Sequence, residues 1–450
     1  MLEIPTFVQN FMNQFSSAGH KIYLVGGTVR GLIMNHKVSD WDFTTSAKPE
    51  EIMRIFPHSF YNNQFGTVGI PIEHEGTSYI FEVTTFRKES NYSNVRHPDI
   101  IEWAETVEED LARRDFTINA IAYDGSKITD PYDGQIDIKN HILKAVGNPD
   151  IRFKEDALRL IRAIRQASQL GFMIEPATMK SLNENSNLIN KISWERIRDE
   201  FFKILTSDHP AEGVLFLKNA GILNYILPEL NECFGVDQKS PERHHIYDVG
   251  THLVESLRHC PSRDPITLFA TLIHDVGKKE TYSKDEKTKI ITFYNHEVVG
   301  EKLAKKIAHR FRLSKEQENK FVTLVKYHQF TVSEDQSDKA LRRFIKNIGK
   351  KNITDMLDLR TGDRLGSGAK LTSWRTELFK KRLIDVQRIP FSVQDLKITG
   401  HDVMNMLSIK PGPQIGEILN KLFKEVDDEK LPNKREALLK QLTTFKKTSK

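Results

Sequence analysis

Two aspartates, Asp40 and Asp42, flank one tryptophan in the stretch KVSDWDFTT at residues 37–45. Strand residues two apart share a face, so both carboxylates would project together while Trp41 and Phe43 face the other way. Neighbouring carboxylates repel unless a cation lies between them or one takes up a proton. A third acidic residue, Glu82 in YIFEVTTF, falls in another β run that can pair beside the first. Three carboxylates converging from adjacent strands suit Mg²⁺, which keeps waters and accepts substrate phosphates as further ligands. Two such ions could activate an attacking hydroxyl and stabilise the leaving oxygen in phosphoryl-type transfer. Just upstream, Gly26 and Gly27 let backbone N–H groups approach a phosphate at the mouth of a helix. Arg30, one turn into that helix, can reach the same anion. Taken alone, D-x-D is more often a solvated turn, and Gly-Gly a plain strand-to-helix turn.

A second constellation lies downstream. His252, His274, Asp275, His296, His328 and Asp363 each fall in or beside an apolar-periodic helical stretch. Any one of these histidines is more often an ordinary core or surface residue than a ligand. As a set on bundled helices they can point inward to a common centre. Imidazole and carboxylate together suit a borderline divalent first-row transition metal, whose open positions would hold a hydrolytic water. His244, His245, His259 and His309 read as ordinary.

These residues need elements to carry them. KIYLVGG reads as a strand ending in a turn, VRGLIMN as a short helix, WDFTTS as a second strand and KPEEIMRIFP as a helix. GTVGIPIEHEGTSYIFEVTTF reads as a hairpin turning at EHEGT. FKEDALRLIRAIRQASQLG has helical spacing and ends at Gly171. Residues 240–370 are helical, and LKITGHDVMNMLSIKPGPQIGEILNKLFKEV reads as two short helices joined by a Pro-Gly-Pro turn. The order is an α/β segment followed by helical domains.

The 450 residues allow two to four domains. With 38% hydrophobic and 28% charged residues, no apolar run of membrane-spanning length and no basic flank at the N-terminus, the chain reads as soluble and without a secretory signal. Two cysteines, Cys233 and Cys260, exclude a disulfide framework and fit a reducing, cytoplasmic setting. A net charge of +5 is compatible with a polyanionic partner.

The ordered motifs YLVGGTVRG, SDWDFTT, FEVTTFR, EEDLARRDFTINAIAYD, DPYDGQIDI and FKEDALRLIRAIR resemble the bacterial tRNA nucleotidyltransferase and poly(A) polymerase family, the class II CCA-adding enzymes. The motifs cover residues 21–205, and weaker similarity continues to the C-terminus. The resemblance implies an α+β chain. A small polymerase-beta-like nucleotidyltransferase head (1–143), a mixed sheet with helices, precedes an all-α neck (144–235), a helical body (236–370) and a helical tail (371–450). It makes Asp40 and Asp42 the Mg²⁺ ligands, with Glu82 in support. It puts Gly27, Arg30 and Arg114 on the incoming triphosphate, and makes Asp115 and Asn119 a hinge motif. Asp156, Arg159, Arg162 and Arg165 match the base-recognising neck motif. One departure stands out: the family's Asp after the arginine of G-G-x-V-R is Gly31 here, which would loosen Arg30 by removing an ion-pair partner.

Physics supports the neck motif as well. Asp156, Arg159 and Arg162 are spaced by three and would line one helical face, ordinarily a solvated one. Cytosine and adenine each show an amino donor beside a ring-nitrogen acceptor, which a carboxylate and a guanidinium can pair. Uracil and guanine would leave buried groups unpaired, a costly mismatch. The polar stretch RKESNYSNVRHPDIIEW (87–103) matches a flexible loop of the family, thought to help the switch from C to A addition.

The histidine set is similar to the HD phosphohydrolase superfamily. Its H…HD…D signature maps onto His252, His274, Asp275 and Asp363, with His296 and His328 as additional ligands or catalytic histidines. The expectation is template-independent addition of CCA to the 3′ end of tRNA from CTP and ATP, with a second, metal-dependent phosphohydrolase activity. The alternatives are a poly(A) polymerase, an A-adding or CC-adding relative, a chain whose main activity is the phosphohydrolase, and a catalytically dead RNA-binding protein. The segment FGTVGI resembles the CCA type more than the tail-adding type. Basic residues of the neck, the later helices and the tail would hold tRNA by its phosphates and shape.

Overall fold

The computed structural model describes residues 2–61, 66–90, 100–238, 246–330, 336–369, 374–386, 393–428 and 430–448. His244, His245, Phe65 of FGTVGI and the centre of the 87–103 stretch lie outside them. The chain divides into two compact units, one of residues 1–235 with 307–313 and one of residues 236–306 with 314–450.

In the first unit β1 (Ile22–Val25), β2 (Asp42–Thr45), β3 (Phe60–Tyr61), β4 (Thr67–His74), β5 (Thr77–Thr85), β8 (Ala122–Tyr123) and β9 (Ile128–Thr129) form a seven-stranded sheet, order β3-β4-β5-β2-β1-β8-β9. Between them, β6 (Arg87–Ser90) and β7 (Ile100–Trp103) make a separate antiparallel ribbon. The sheet is mixed: β2 runs parallel to β5, and the other pairs are antiparallel. Helix α1 (Thr6–Ser17) buries Val8, Phe11, Met12 and Phe15, an apolar stripe at helical spacing. Phe11 meets Phe43 of β2 and Phe81 of β5, each at 4.9 Å between ring centroids. This aromatic layer fixes which way the strands face. With Phe43 and Phe81 inward, the alternating neighbours Asp42 and Glu82 must point to the other side.

Short helices α2 (Gly27–Ile33), α3 (Pro49–Ile55), α4 (Val107–Ala112) and α5 (Gly134–Lys139) complete the head. A capping box between Thr106 and Glu109 starts α4. The neck follows as α6 (Pro149–Glu155), α7 (Leu158–Leu170), α8 (Pro176–Glu184), α9 (Trp194–Leu205), α10 (Pro210–Asn219), α11 (Leu223–Ile226) and α12 (Pro228–Asn231). The single helix expected over FKEDALRLIRAIRQASQLG ends at Gly171 but is broken at Asp156. The cause is local: the Asp156 carboxylate accepts from the Leu158 N–H at 3.0 Å, so it starts α7 instead of lying within it.

The second unit is helical apart from a small ribbon at Ser283–Lys284 and Ile291–Thr292. Its helices are α13 (Val249–His259), α14 (Pro265–Ile273), α15 (Lys278–Thr281), α16 (His296–Arg310, whose residues 307–310 count with the first unit), α17 (Lys315–Tyr327), α18 (Asp338–Ile348), α19 (Ile353–Gly366) and α20 (Trp374–Val386). Asp248, Asp264 and Ser314 cap α13, α14 and α17 with side-chain oxygens. The tail holds α21 (Gly400–Leu407), α22 (Pro413–Asp427) and an unexpected third helix, α23 (Arg435–Thr448). Val403, Leu422, Val426, Leu438 and Leu442 give these three a common core. No helix of the described residues is long and apolar enough to cross a membrane.

Candidate active sites

The front site begins with a register. Asp42 of β2 sits opposite Glu82 of β5 in the parallel pair. Asp40 lies just before β2, not within it, and the expected alternation survives: Asp40 is exposed, Trp41 buried, Asp42 half-buried and Phe43 buried. Among the described residues, the triads whose ligand atoms all lie within 4.8 Å of one another are in the second unit. Burial, and then the Glu82 carboxylate, push Asp42 up to about 6, while Arg114 pulls it down. Such a pair fits a divalent ion whose shell is completed by waters and phosphate oxygens.

The glycine turn stands against this charge. Gly26 has φ +65°, and a Cβ there would lie 3.1 Å from Arg114 Nη1 and 4.0 Å from Asp42 Oδ2. Glycine therefore serves both the backbone conformation and the close approach of the guanidinium. Arg114 is held from behind by the buried Asp110, which also receives Arg113 Nη2 at 2.8 Å.

Arg30 is not loosened by the missing aspartate. Its guanidinium donates to Asn119 Oδ1, and Asn119 donates to Asp115 at 3.1 Å and to Gln166 at 2.9 Å. Position 31 itself is tight, since a Cβ there would meet Val38 Cγ2 at 3.1 Å. Arg162 closes the network with two hydrogen bonds to Asp115 Oδ2, at 2.6 and 3.1 Å. Burial alone would raise Asp115; the Arg162 charge and these hydrogen bonds outweigh it and hold the carboxyl well below the usual range.

The other neck residues stand apart from that network. Arg159 donates to Glu155 Oε2 at 2.6 Å and to the Arg113 carbonyl at 3.0 Å. Arg165 pairs with Glu200 at 3.1 Å, and Arg196 Nη2 lies 4.0 Å from Asp156 Oδ2. Asp110, Glu155, Glu200 and Gln166 were missed in the sequence. Helical i,i+3 and i,i+4 spacing could have found Asp110 with Arg113 and Arg114, and Glu155 with Arg159.

In the second unit all six expected residues come together. Asp275 is shared. Its Oδ2 lies 3.5 Å from His252 Nε2 and 3.4 Å from His274 Nε2, and its Oδ1 lies 3.1 Å from His296 Nε2 and 3.2 Å from His328 Nε2. Asp363 Oδ1 joins the first pair at 3.3 Å from His252. Three of the rings are aimed by the backbone: Nδ1 of His274, His296 and His328 contacts the carbonyls of Thr271, Phe293 and Val325 at 2.7–2.9 Å. That second contact turns each Nε2 to the centre, the arrangement of a metal-ligating imidazole. Gly277 permits the approach, because a Cβ there would lie 2.1 Å from the His296 carbonyl oxygen. Burial lowers His274, but Asp275 and Asp363 raise it further, to about 10. His252, His274 and His296 are all raised and so poised to balance the carboxylates with protons, a role a metal cation can take over, while burial holds His328 below the usual imidazole value. Lys278 and Arg360, not anticipated, donate at 2.6 Å to Asp275 Oδ2, the oxygen that also faces His252 and His274, and to Asp363 Oδ2. Both sit three residues from their partner, a helical spacing visible in the sequence.

Known proteins resolve what the front site belongs to. Residues 22–144 match the poly A polymerase head domain, 171–234 the probable RNA and SrmB-binding site of polymerase A, and 283–442 a putative tRNA nucleotidyltransferase domain 2. A CCA-adding enzyme of Pediococcus pentosaceus is 31% identical over 97% of both chains. This chain belongs to the CCA-adding enzyme family. A CCA-adding enzyme of Ligilactobacillus salivarius is 33% identical, over 95% of this chain and 93% of its own. The crystal structure of the Bacillus stearothermophilus CCA-adding enzyme in complex with CTP shares the fold, with a TM-score of 0.73, 24% identity and 99% of each chain covered. The α+β head and helical remainder are those of CCA-adding enzymes.

Proposed function

We propose that the chain is a template-independent tRNA nucleotidyltransferase that builds or repairs the 3′-terminal CCA from CTP and ATP. The tRNA 3′-hydroxyl attacks the α-phosphorus, a P–O bond forms, and pyrophosphate leaves with the electrons of the bond it breaks. Asp40, Asp42 and Glu82 would hold Mg²⁺, which supplies charge neutralisation at the reacting phosphate and the leaving oxygen. Arg114, seated against Gly26, and Arg30, held by Asn119, bind the triphosphate. Asp156 and Arg159 read the base edge, and Arg162 and Arg165 brace that face. The observation that carries the reading is Asp42 in register with Glu82 beside the Gly26–Arg114 contact, in a member of this family. A cytoplasmic setting suits this substrate.

Purified protein is given tRNAs ending at the discriminator base, at C or at CC, with each nucleotide in turn. Addition of C, C and then A, with UTP and GTP refused, is the expected result. An untemplated A tail, or no extension, overturns it.

The shared Asp275 favours a second activity, a metal-dependent phosphohydrolase. His252, His274, Asp275 and Asp363 would hold one divalent transition ion, and Asp275, His296 and His328 another. The cavity beside them, about 570 Å³, is lined by Lys278, Arg360 and Arg364, side chains suited to a phosphate ester.

A further inference from the structure

Thr28 is the second residue of α2 and is 2% exposed. Its hydroxyl donates to the Asp40 carbonyl at 2.9 Å and accepts from the Asp42 N–H at 3.0 Å. One hydroxyl carries one proton and two lone pairs, so both bonds form at once. They bracket Trp41, itself buried at 4%, and so fix the peptide planes on either side of it. Asp40 precedes β2 and lies outside its ladder, so Thr28 tethers the backbone of the aspartate that the sheet does not register. The same helix begins at the turn against which Arg114 lies. A single buried side chain thus joins the carboxylate pair to the glycine turn.

We infer that Thr28 is a positioning residue for cation binding: it sets the spacing of Asp40 and Asp42 and their place beside the Gly26–Gly27 turn. The inference rests on the nucleotidyl-transfer reading of the front site. A threonine that only fills the core would affect stability; one that positions ligands affects how tightly the pair holds a divalent ion. Outer partners of metal ligands change affinity or activity by about 10–100-fold when removed.

The test uses the full chain with Thr28→Val, Thr28→Ala, Thr28→Ser and Asp42→Asn. Mn²⁺ binding is followed by electron paramagnetic resonance, and the portion abolished by Asp42→Asn is assigned to the front site. Kinetics with CTP and tRNA give kcat, KM and the Mg²⁺ concentration for half activity. Thr28→Val is expected to weaken the front-site Mn²⁺ component and raise the Mg²⁺ requirement by about 10–100-fold. KM for CTP at saturating Mg²⁺ should stay within about twofold, since the triphosphate contacts are untouched. Thr28→Ser keeps both hydrogen bonds and should behave as the parent. If Thr28→Val does not fold, Thr28→Ala removes the same hydroxyl without branching and carries the comparison. Unchanged Mn²⁺ affinity in the folded variant lacking the hydroxyl overturns the inference, as does a Thr28→Ser variant equally impaired. If Asp42→Asn itself retains nucleotide addition, the nucleotidyl-transfer reading falls. If only the Thr28 variants prove neutral, that reading stands and this one does not.

Discussion

Arg30 donates its guanidinium to the side-chain oxygen of Asn119, and Asn119 in turn donates to both Asp115 and Gln166. The arginine proposed to bind the triphosphate is therefore held by an amide side chain. Asn119→Ala should release Arg30 and strand buried partners, a loss of about 1–3 kcal/mol. Steady-state kinetics should show the nucleotide KM rising by about tenfold or more, at 1.4 kcal/mol per decade. An unchanged KM would mean that Arg30 does not need this hold.

Asp42 and Glu82 share a register, and the two proposed sites draw their residues from separate units. Asp42→Asn should reduce nucleotide incorporation by about 10²–10³-fold or more, as losses of electrostatic transition-state stabilisation do. Hydrolysis of a generic phosphate ester by the second unit should persist. Asp275→Ala should do the reverse. Parallel assays of both variants check the pair.

At Gly26 an added methyl meets a left-handed backbone and the Arg114 guanidinium. Gly26→Ala should cost about 1–3 kcal/mol of backbone strain and push Arg114 aside. Nucleotide affinity, measured by calorimetry with CTP, should fall by about tenfold or more, while the metal content of the second unit stays the same.

Asp115 titrates with a definite sign. Its folded pKa is depressed, so the stability it contributes is fully present above its unfolded pKa, about 3.9, and is lost as pH falls below that. Asp115→Asn should destabilise the protein at neutral pH by about 1–3 kcal/mol, at the lower end because the Arg162 side chain keeps 35% of its surface exposed. Urea midpoints of parent and variant should differ most above pH 5 and converge below pH 4.

Gly277 lies against the backbone of His296 with no room for a methyl group. Gly277→Ala should shift the start of α16 and cost about 1–3 kcal/mol through overpacking. Elemental analysis of protein loaded with a transition metal should show lower occupancy, and front-site nucleotide addition should be retained.

The front strands were legible because a period of two leaves little choice once Phe43 and Phe81 are buried. Asp42 and Glu82 then follow by alternation. The hairpin showed in its EHEGT turn, and α7 in its apolar spacing. The break at Asp156 was hidden, since it depends on a side chain competing for the N–H of Leu158. Arg30 was misjudged for a different reason: its partner is tertiary, and no local spacing announces Asn119. Thr28 escaped notice because a threonine after a glycine pair looks like packing until its two hydrogen bonds are seen. The second centre was visible as a set of six residues, but which oxygen of Asp275 faces which imidazole is decided only by the helix packing. Helix α23 was not read, its apolar positions being few and its flanks basic.

Asp275 turns one oxygen to each pair of imidazoles. A group with two such obligations has no half-measure: any substitution there silences both sides together. Losing that aspartate would take an acceptor from all four histidines at once, leaving Asp363 beside His252 and His274 alone.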